Sequence, residues 1–392
     1  MEVVFVICLL CYIALVGAFI VGFLLKKSIP AESQTEYHHF SILIPFRNEA
    51  SQLKLLLDSL LNLDYPKEHY EIILINDEST DDFSAILTEY DSSFFQCIDN
   101  RRHSKSPKKD ALETGINRAQ FPWIVSTDAD CILPKNWLQM FNQLIAEKEL
   151  VFIGGPVIFK AHNSFLFHMQ QLNLLSLMGC TIGGFGIGRP IMCSGANLCF
   201  SKEAFFKVGG YKGNNDISSG DDVFLLEKMI QSYPDKIDYL KSTESIVLTS
   251  HEKTWKAWFQ QQFRWASKSR HYTNLFTKMT GLIIYTINLL LFILLLLVFL
   301  EKISWTSFIL FLITKTLVDV CLLLQAGQFF KNYKSLIFLP VFILFYPVFI
   351  VGLSLIIPFR SYKWKGRKKS TSRSTSTIKK IVDNTVNIKK QV

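Results

Sequence analysis

Trp123-Ile124-Val125-Ser126-Thr127-Asp128-Ala129-Asp130 is an apolar run that stops at two carboxylates one residue apart. The run predicts a buried strand. Side chains alternate along a strand, so Asp128 and Asp130 share one side at its carboxyl end. That end is where open α/β sheets hold their ligands. Two carboxylates this close require a compensating cation or donor, and a divalent metal carrying phosphate oxygens is one such cation. A solvated, Asp-rich turn is the plainer alternative for the pair taken alone.

Upstream of this stretch, strand-like and helix-like patterns alternate. Strands are predicted over 40–46, 70–75 and 94–98, with helices over 49–61, 81–90 and 108–118. This alternation implies an α/β domain with a mostly parallel sheet and right-handed crossovers. Downstream, 151–159 and 192–200 read as strands, and the glycines between 179 and 188 read as a mobile loop over a site. Residues 254–272 combine Trp255, Trp258, Phe259, Phe263 and Trp265 with Lys256, Arg264, Lys268 and Arg270. That mixture predicts an amphipathic helix lying along a membrane interface.

The composition calls for a membrane. Hydrophobic residues make up 49% of the 392-residue chain, and 33 residues are Phe. Uncharged apolar runs over 3–25, 280–300 and 335–359 are each long enough to cross about 30 Å of hydrocarbon. A fourth stretch, 303–328, carries Lys315 and Asp319, four apart on one helix face. A charge at the bilayer centre costs about 2.5–3.5 kcal/mol. This stretch is therefore the one expected not to cross fully.

Lys26 and Lys27 after the first run predict an uncleaved anchor with the following domain in the cytoplasm. The resulting expectation is an N-terminal anchor over 1–27, a linker over 28–39, a catalytic-type domain over 40–250 and an interfacial helix over 251–279. A transmembrane region over 280–359 and a basic tail over 360–392 complete it. From Arg360 on, eleven Lys and Arg face one acid, Asp383, so the tail carries +10 of a net charge of +9, and the remainder is −1. Such a tail beside an apolar run suits anionic lipid. No basic patch of comparable size exists elsewhere, which argues against nucleic acid. Eight cysteines, three of them (Cys8, Cys11 and Cys321) inside apolar stretches, fit a reducing compartment rather than a disulfide or zinc framework.

Polar residues recur where successive strands end. Pro45-Phe46-Arg47-Asn48-Glu49 follows the first, Asn76-Asp77-Glu78-Ser79-Thr80-Asp81 the second, and Asp128 and Asp130 a later one. In a parallel sheet these ends share a rim. Farther on, Gly220-Asp221-Asp222 opens a helical pattern, where an Asp also serves as an ordinary cap. Gln261 and Arg264 share a helix face; the Arg264 fork suits a diphosphate, and Trp265 offers a flat apolar surface to a sugar or lipid.

This ordered set, with Ser194-Gly195-Ala196-Asn197 and Gly209-Gly210-Tyr211, resembles the membrane-bound family 2 glycosyltransferases over roughly residues 40–270. The resemblance implies a GT-A fold and an inverting, nucleotide-sugar-dependent enzyme. Asp77, with Pro45, Arg47 and Glu49 around it, would hold base and ribose. Lys108 and Lys109 would contact the nucleotide. Asp128 would face ribose or sugar, and Asp130 would ligate Mg²⁺ or Mn²⁺. Asp222 would be the general base, Arg264 would stabilise the leaving diphosphate, and Asp221, Gln261 and Trp265 would line the acceptor side. Two departures from the family pattern bear on this. Asn76 and Glu78 stand where Asp and Gly are common, leaving base selectivity open, and Pro107 replaces a frequent Gly ahead of the lysines.

The expected partners are a nucleotide-sugar donor, of the UDP class by resemblance to these enzymes, and a lipid or lipid-linked saccharide acceptor. A processive polysaccharide synthase is the same-class alternative. A membrane-tethered, non-catalytic nucleotide-binding protein is the alternative from another class.

Overall fold

The computed structural model describes the chain except residues 1, 31, 33–35, 218, 357–361, 365–366 and 370–392. The basic tail therefore lies almost wholly outside the described residues. In chain order the elements are α1 (Glu2–Leu25), β1 (Phe40–Phe46), α2 (Ala50–Leu61), β2 (Tyr70–Asn76), α3 (Phe83–Leu87), β3 (Gln96–Asp99), α4 (Pro107–Arg118) and β4 (Trp123–Ser126). They continue with α5 (Trp137–Glu147), β5 (Phe152–Gly154), β6 (Val157–Phe159), α6 (Phe165–Gly186), β7 (Leu198–Ser201), α7 (Lys202–Lys207), α8 (Asp221–Ser232), β8 (Ile237–Tyr239) and β9 (Val247–Thr249). The last group is α9 (Trp255–Ser267), α10 (Leu275–Phe299), α11 (Trp305–Phe329), α12 (Tyr333–Leu336), α13 (Leu339–Ile356), β10 (Tyr362–Trp364) and β11 (Arg367–Lys369).

Seven strands form one sheet in the order β3-β2-β1-β4-β7-β5-β8. The first four run parallel, and β7 is antiparallel to both neighbours. The period of two decides which side each residue covers. Ile42 and Ile44 of β1 join a core with Leu53, Leu56 and Leu57 of α2 and Phe141 of α5. Leu43 faces the other way, into a core with Ala111, Leu112 and Ile116 of α4 and Leu172 of α6. Both faces are covered, which is why these strands read as continuous apolar runs.

Among the described residues, four helices, Val3–Leu25, Leu275–Phe299, Trp305–Phe329 and Leu339–Ile356, are long and apolar enough to cross a membrane. Within the stretch 303–328, expected not to cross fully, the helix is unbroken. Residues 305–329 form one continuous helix, about 37 Å long at 1.5 Å per residue, which is sufficient to cross. Its charges do not interrupt it because Lys315 pairs with Asp319 at 2.7 Å within the helix.

The expected mobile loop at 179–188 is corrected. Gly179, Gly183, Gly184 and Gly186 lie in α6. A Cβ on Gly183 would stand 2.2 Å from the Phe19 carbonyl oxygen, and one on Gly186 would stand 1.9 Å from that of Gly22. The glycines let the backbones of α1 and α6 touch, and this packing outweighs their poor helix propensity.

Two polar contacts fasten the α/β domain to the apolar helices. The buried Lys241 ammonium donates to the carbonyls of Phe23 (2.6 Å) and Lys26 (2.9 Å), satisfying acceptors at the end of α1. Glu227 of α8 accepts from the backbone N–H groups of Thr273 and Asn274, both at 3.0 Å, just before α10. The predicted amphipathic helix forms as α9. Its Trp258 is buried and stacks on Phe349 of α13 with ring centroids 5.0 Å apart. That aromatic face therefore packs on a neighbouring helix rather than lying open.

Candidate active site

The ends of β1 and β2 are stitched into one rim. Arg47 Nη1 donates to the carbonyls of Asp77 (2.7 Å) and Glu78 (2.9 Å). Asn48 accepts from the Thr80 N–H at 2.7 Å, and its own N–H donates to Ser79 Oγ at 3.1 Å. Asn48 and Glu78 both adopt positive φ, 52° and 58°, the strained side of the map for residues with a Cβ. The Asp81 carboxylate caps α2 from the neighbouring loop, accepting from Ala50 N–H at 2.7 Å. Asp77 itself is buried and accepts from Asn100 Nδ2 at 2.8 Å.

The second half of the site is a chain of alternating charges. Lys108, in the first turn of α4, lies 2.7 Å from Asp128 Oδ1 and 3.2 Å from Asp221 Oδ2. Burial opposes its charge, but the two carboxylates outweigh burial and hold its pKa above the ordinary lysine value. Burial likewise opposes ionisation of Asp221, and Lys108 foremost among three lysines keeps its pKa below the ordinary value. Asp222 follows at the start of α8, 3.3 Å from Lys268 Nζ and accepting from Gly195 N–H at 3.3 Å. Space beside Gly195 is tight, since a Cβ there would lie 3.0 Å from Asp221 Oδ2. Gly220 precedes α8 with φ 82°, a conformation that turns the chain sharply into the two carboxylates.

Asp130 sits against β9. A backbone pair between Ile132 and Leu248 draws the strands together, and Asp130 Oδ2 accepts from Thr249 Oγ1 at 3.3 Å. His251, two residues on, lines the same cavity, and burial lowers its pKa, so it presents a neutral imidazole. The Asp130 carboxylate is the hard oxygen donor that Mg²⁺ or Mn²⁺ takes, and the Thr249 hydroxyl lies beside it.

These parts surround one cavity of about 600 Å³. Pro45, Arg47, Glu49 and Asp77 line it, as do Lys108, Asp128 and Asp130. Asp221 and Asp222 line the same cavity with Gln261, Arg264 and Trp265 of α9. Tyr346, Ile350 and Leu353 of α13 close an apolar side with Leu174, Leu177 and Met178 of α6. Lys109 is the exception among the expected residues. Its ammonium turns away to donate to the carbonyls of Asn214 (2.8 Å) and Ile217 (3.0 Å), so it holds a loop rather than lining the cavity. Burial lowers its pKa to about 8.

Sequence reading missed Thr249, His251, Lys268 and the α13 wall. Lys268 follows Arg264 by four residues, a helical spacing that would have flagged it. The others reach the site through tertiary packing that leaves no local signal.

An open, mostly parallel sheet with an Asp-x-Asp pair and a second acidic pair at its rim is the architecture of a GT-A fold. Residues 41–211 match the family model described as glycosyl transferase family 2. A probable glycosyltransferase of Bacillus subtilis, YdaM, is 24% identical over 260 residues, 63% of this chain and 59% of the relative. The poly-beta-1,6-N-acetyl-D-glucosamine synthase of Staphylococcus epidermidis is 26% identical over 232 residues, 58% of this chain and 53% of the relative. The chain thus spans under two thirds of the length of these curated relatives. The fold is similar to that of the mannosyltransferase PcManGT from Pyrobaculum calidifontis, solved with GDP-Man and Mn²⁺. That likeness has a TM-score of 0.51 at 14% identity and covers 90% of this chain and 98% of the other.

Proposed function

We propose that the chain is an inverting glycosyltransferase moving a sugar from a nucleoside-diphosphate donor, of the UDP class, to a lipid or lipid-linked saccharide at the cytoplasmic membrane face. The single observation that carries this reading is the two-sided cavity. Charged groups at the sheet rim face an apolar side built from α13 and α6, so a polar donor and an apolar acceptor meet in one space.

In this reading Asp77, Pro45, Arg47 and Glu49 hold base and ribose, and Asp128 with Lys108 orients ribose and sugar. Asp130 would hold Mg²⁺ or Mn²⁺, which when bound offsets the charge of the diphosphate. The GDP-Man and Mn²⁺ named for the Pyrobaculum protein support that choice. Arg264 offers a fork to the leaving diphosphate. Asp222 takes the proton from the acceptor hydroxyl as that oxygen attacks the anomeric carbon, and attack from the face opposite the leaving group inverts the centre. Asp221, Gln261 and Trp265 line the acceptor side.

The activity named for the Staphylococcus epidermidis relative supports a second reading, a polymerising synthase. One experiment separates the two. Membranes carrying wild type or Asp222→Asn are supplied with radiolabelled UDP- and GDP-sugars and Mg²⁺ or Mn²⁺. Label in the lipid fraction, lost in the variant, is expected. Label in polymer would favour the synthase, and no transfer from any donor would overturn both.

A further inference from the structure

Lys315 is 1% exposed in the middle of α11, a helix long enough to span a membrane. An ionisable residue at that depth points to function and is best understood through its partners. Asp319 lies 2.7 Å away, one turn along the same helix. The Tyr12 hydroxyl of α1 donates to the Asp319 carboxylate. On its other side, Lys315 Nζ stands 5.8 Å from the ring centroid of Tyr346 of α13. A cation over an aromatic face away from water is a strong contact of its kind.

Tyr346 is where this cluster meets the catalytic cavity. It lines the cavity wall, and Ile350 and Leu353 follow on the same face of α13 at the helical spacings of four and seven. The polar joint Tyr12–Asp319–Lys315 therefore ties α1 and α11 to the residue that begins the apolar wall.

We infer that Lys315 is a positioning residue for acceptor use. Held by Asp319 and Tyr12, it fixes the Tyr346 ring and so sets the shape of the apolar end of the cavity where a lipid-borne acceptor enters. The inference rests on the acceptor reading above. It separates the acceptor end, which depends on an ion pair among the apolar helices, from the donor end, which depends on the sheet rim.

The test uses the full chain in host membranes, the labelled donor chosen by the screen, and total lipid extract of the host as acceptor. Lys315→Met and Tyr346→Leu are each expected to raise the half-saturating lipid about three- to tenfold, and Lys315→Met is expected to leave donor binding and maximal rate within about twofold of wild type. Combining them should add little, and Lys315→Arg should restore wild-type behaviour. Lys315→Met/Asp319→Asn removes both charges together, so a folding failure caused by an orphaned carboxylate cannot pass for the effect. Additive effects, a fall in maximal rate at unchanged half-saturation, or failure of arginine to rescue would overturn the inference. If wild type labels no lipid, the acceptor reading fails instead. The joint is then judged by thermal unfolding of the two single variants and their double, where non-additive shifts are expected and additive ones overturn it.

Discussion

The Lys108 ammonium joins Asp128 to Asp221, 2.7 Å from one and 3.2 Å from the other. A single lysine thus links the Asp-x-Asp pair at the end of β4 to the acidic pair that opens α8. The two lie about ninety residues apart in sequence and meet at this contact.

Lys108→Met should therefore damage both halves of the site. Asp221 is buried and would lose its nearest cation, a change of about 3 kcal/mol for a broken buried pair. A lower unfolding temperature and a loss of transfer of about a hundredfold or more are expected, measured by thermal scans in detergent and by label transfer. Adding Asp221→Asn should recover part of the stability and none of the rate.

Chelation should abolish transfer, and Mg²⁺ or Mn²⁺ should restore it. Asp130→Asn is expected to raise the half-maximal metal concentration about tenfold or more, while Thr249→Val, which removes only a hydroxyl partner of Asp130, should raise it less. Metal titrations of transfer rate check both. Full activity of wild type in chelator would refute the assigned role of Asp130.

Lys109 gives a stability profile with a definite sign. Its pKa is lowered from 10.5 to about 8, chiefly by burial, with Asp221 and Asp222 resisting and Lys268 and Lys228 assisting. Between about 8 and 10.5 the folded chain holds fewer protons there than the unfolded chain, so this residue makes stability rise with pH. Below about 8 the contribution is flat. The unfolding temperature of wild type relative to Lys109→Met should climb across that window, and a constant difference would contradict it.

The contact of α1 with α6 predicts opposite outcomes for two glycines. Gly183→Ala places a Cβ 2.2 Å from a backbone oxygen and should force the helices apart, lowering yield and unfolding temperature. Gly17→Ala in α1 meets nothing within 4 Å and should be neutral or gain about 0.5–1 kcal/mol from helix propensity. Equal behaviour of the two would exclude the close approach.

The parallel half of the sheet was legible because each strand is a buried run bounded by polar turns. β1 is found over Phe40–Phe46 as expected, and β2 ends one residue beyond its predicted limit. Reading failed where tertiary contact overrides local preference. Glycines that suit a loop became a helix because a neighbouring backbone needed the space. The predicted strand at 192–200 shrank to Leu198–Ser201, since Asn197 is turned inward to accept from Trp137 Nε1 at 2.9 Å. In the site, carboxylates at strand ends were visible from spacing, whereas Lys109 lies beside Lys108 in sequence and faces elsewhere. Helical neighbours point about 100° apart, so two adjacent lysines do not share one target.

Lys241 makes the first helix part of the folded domain rather than a detachable tether. A version of this chain shortened for solubility by starting after residue 27 would strip the ammonium of Lys241 of both carbonyls. It would also uncover a glycine-lined groove along α6 shaped for a backbone that is no longer there. Producing the catalytic domain on its own therefore calls for a redesigned surface at that groove, not merely a later start site.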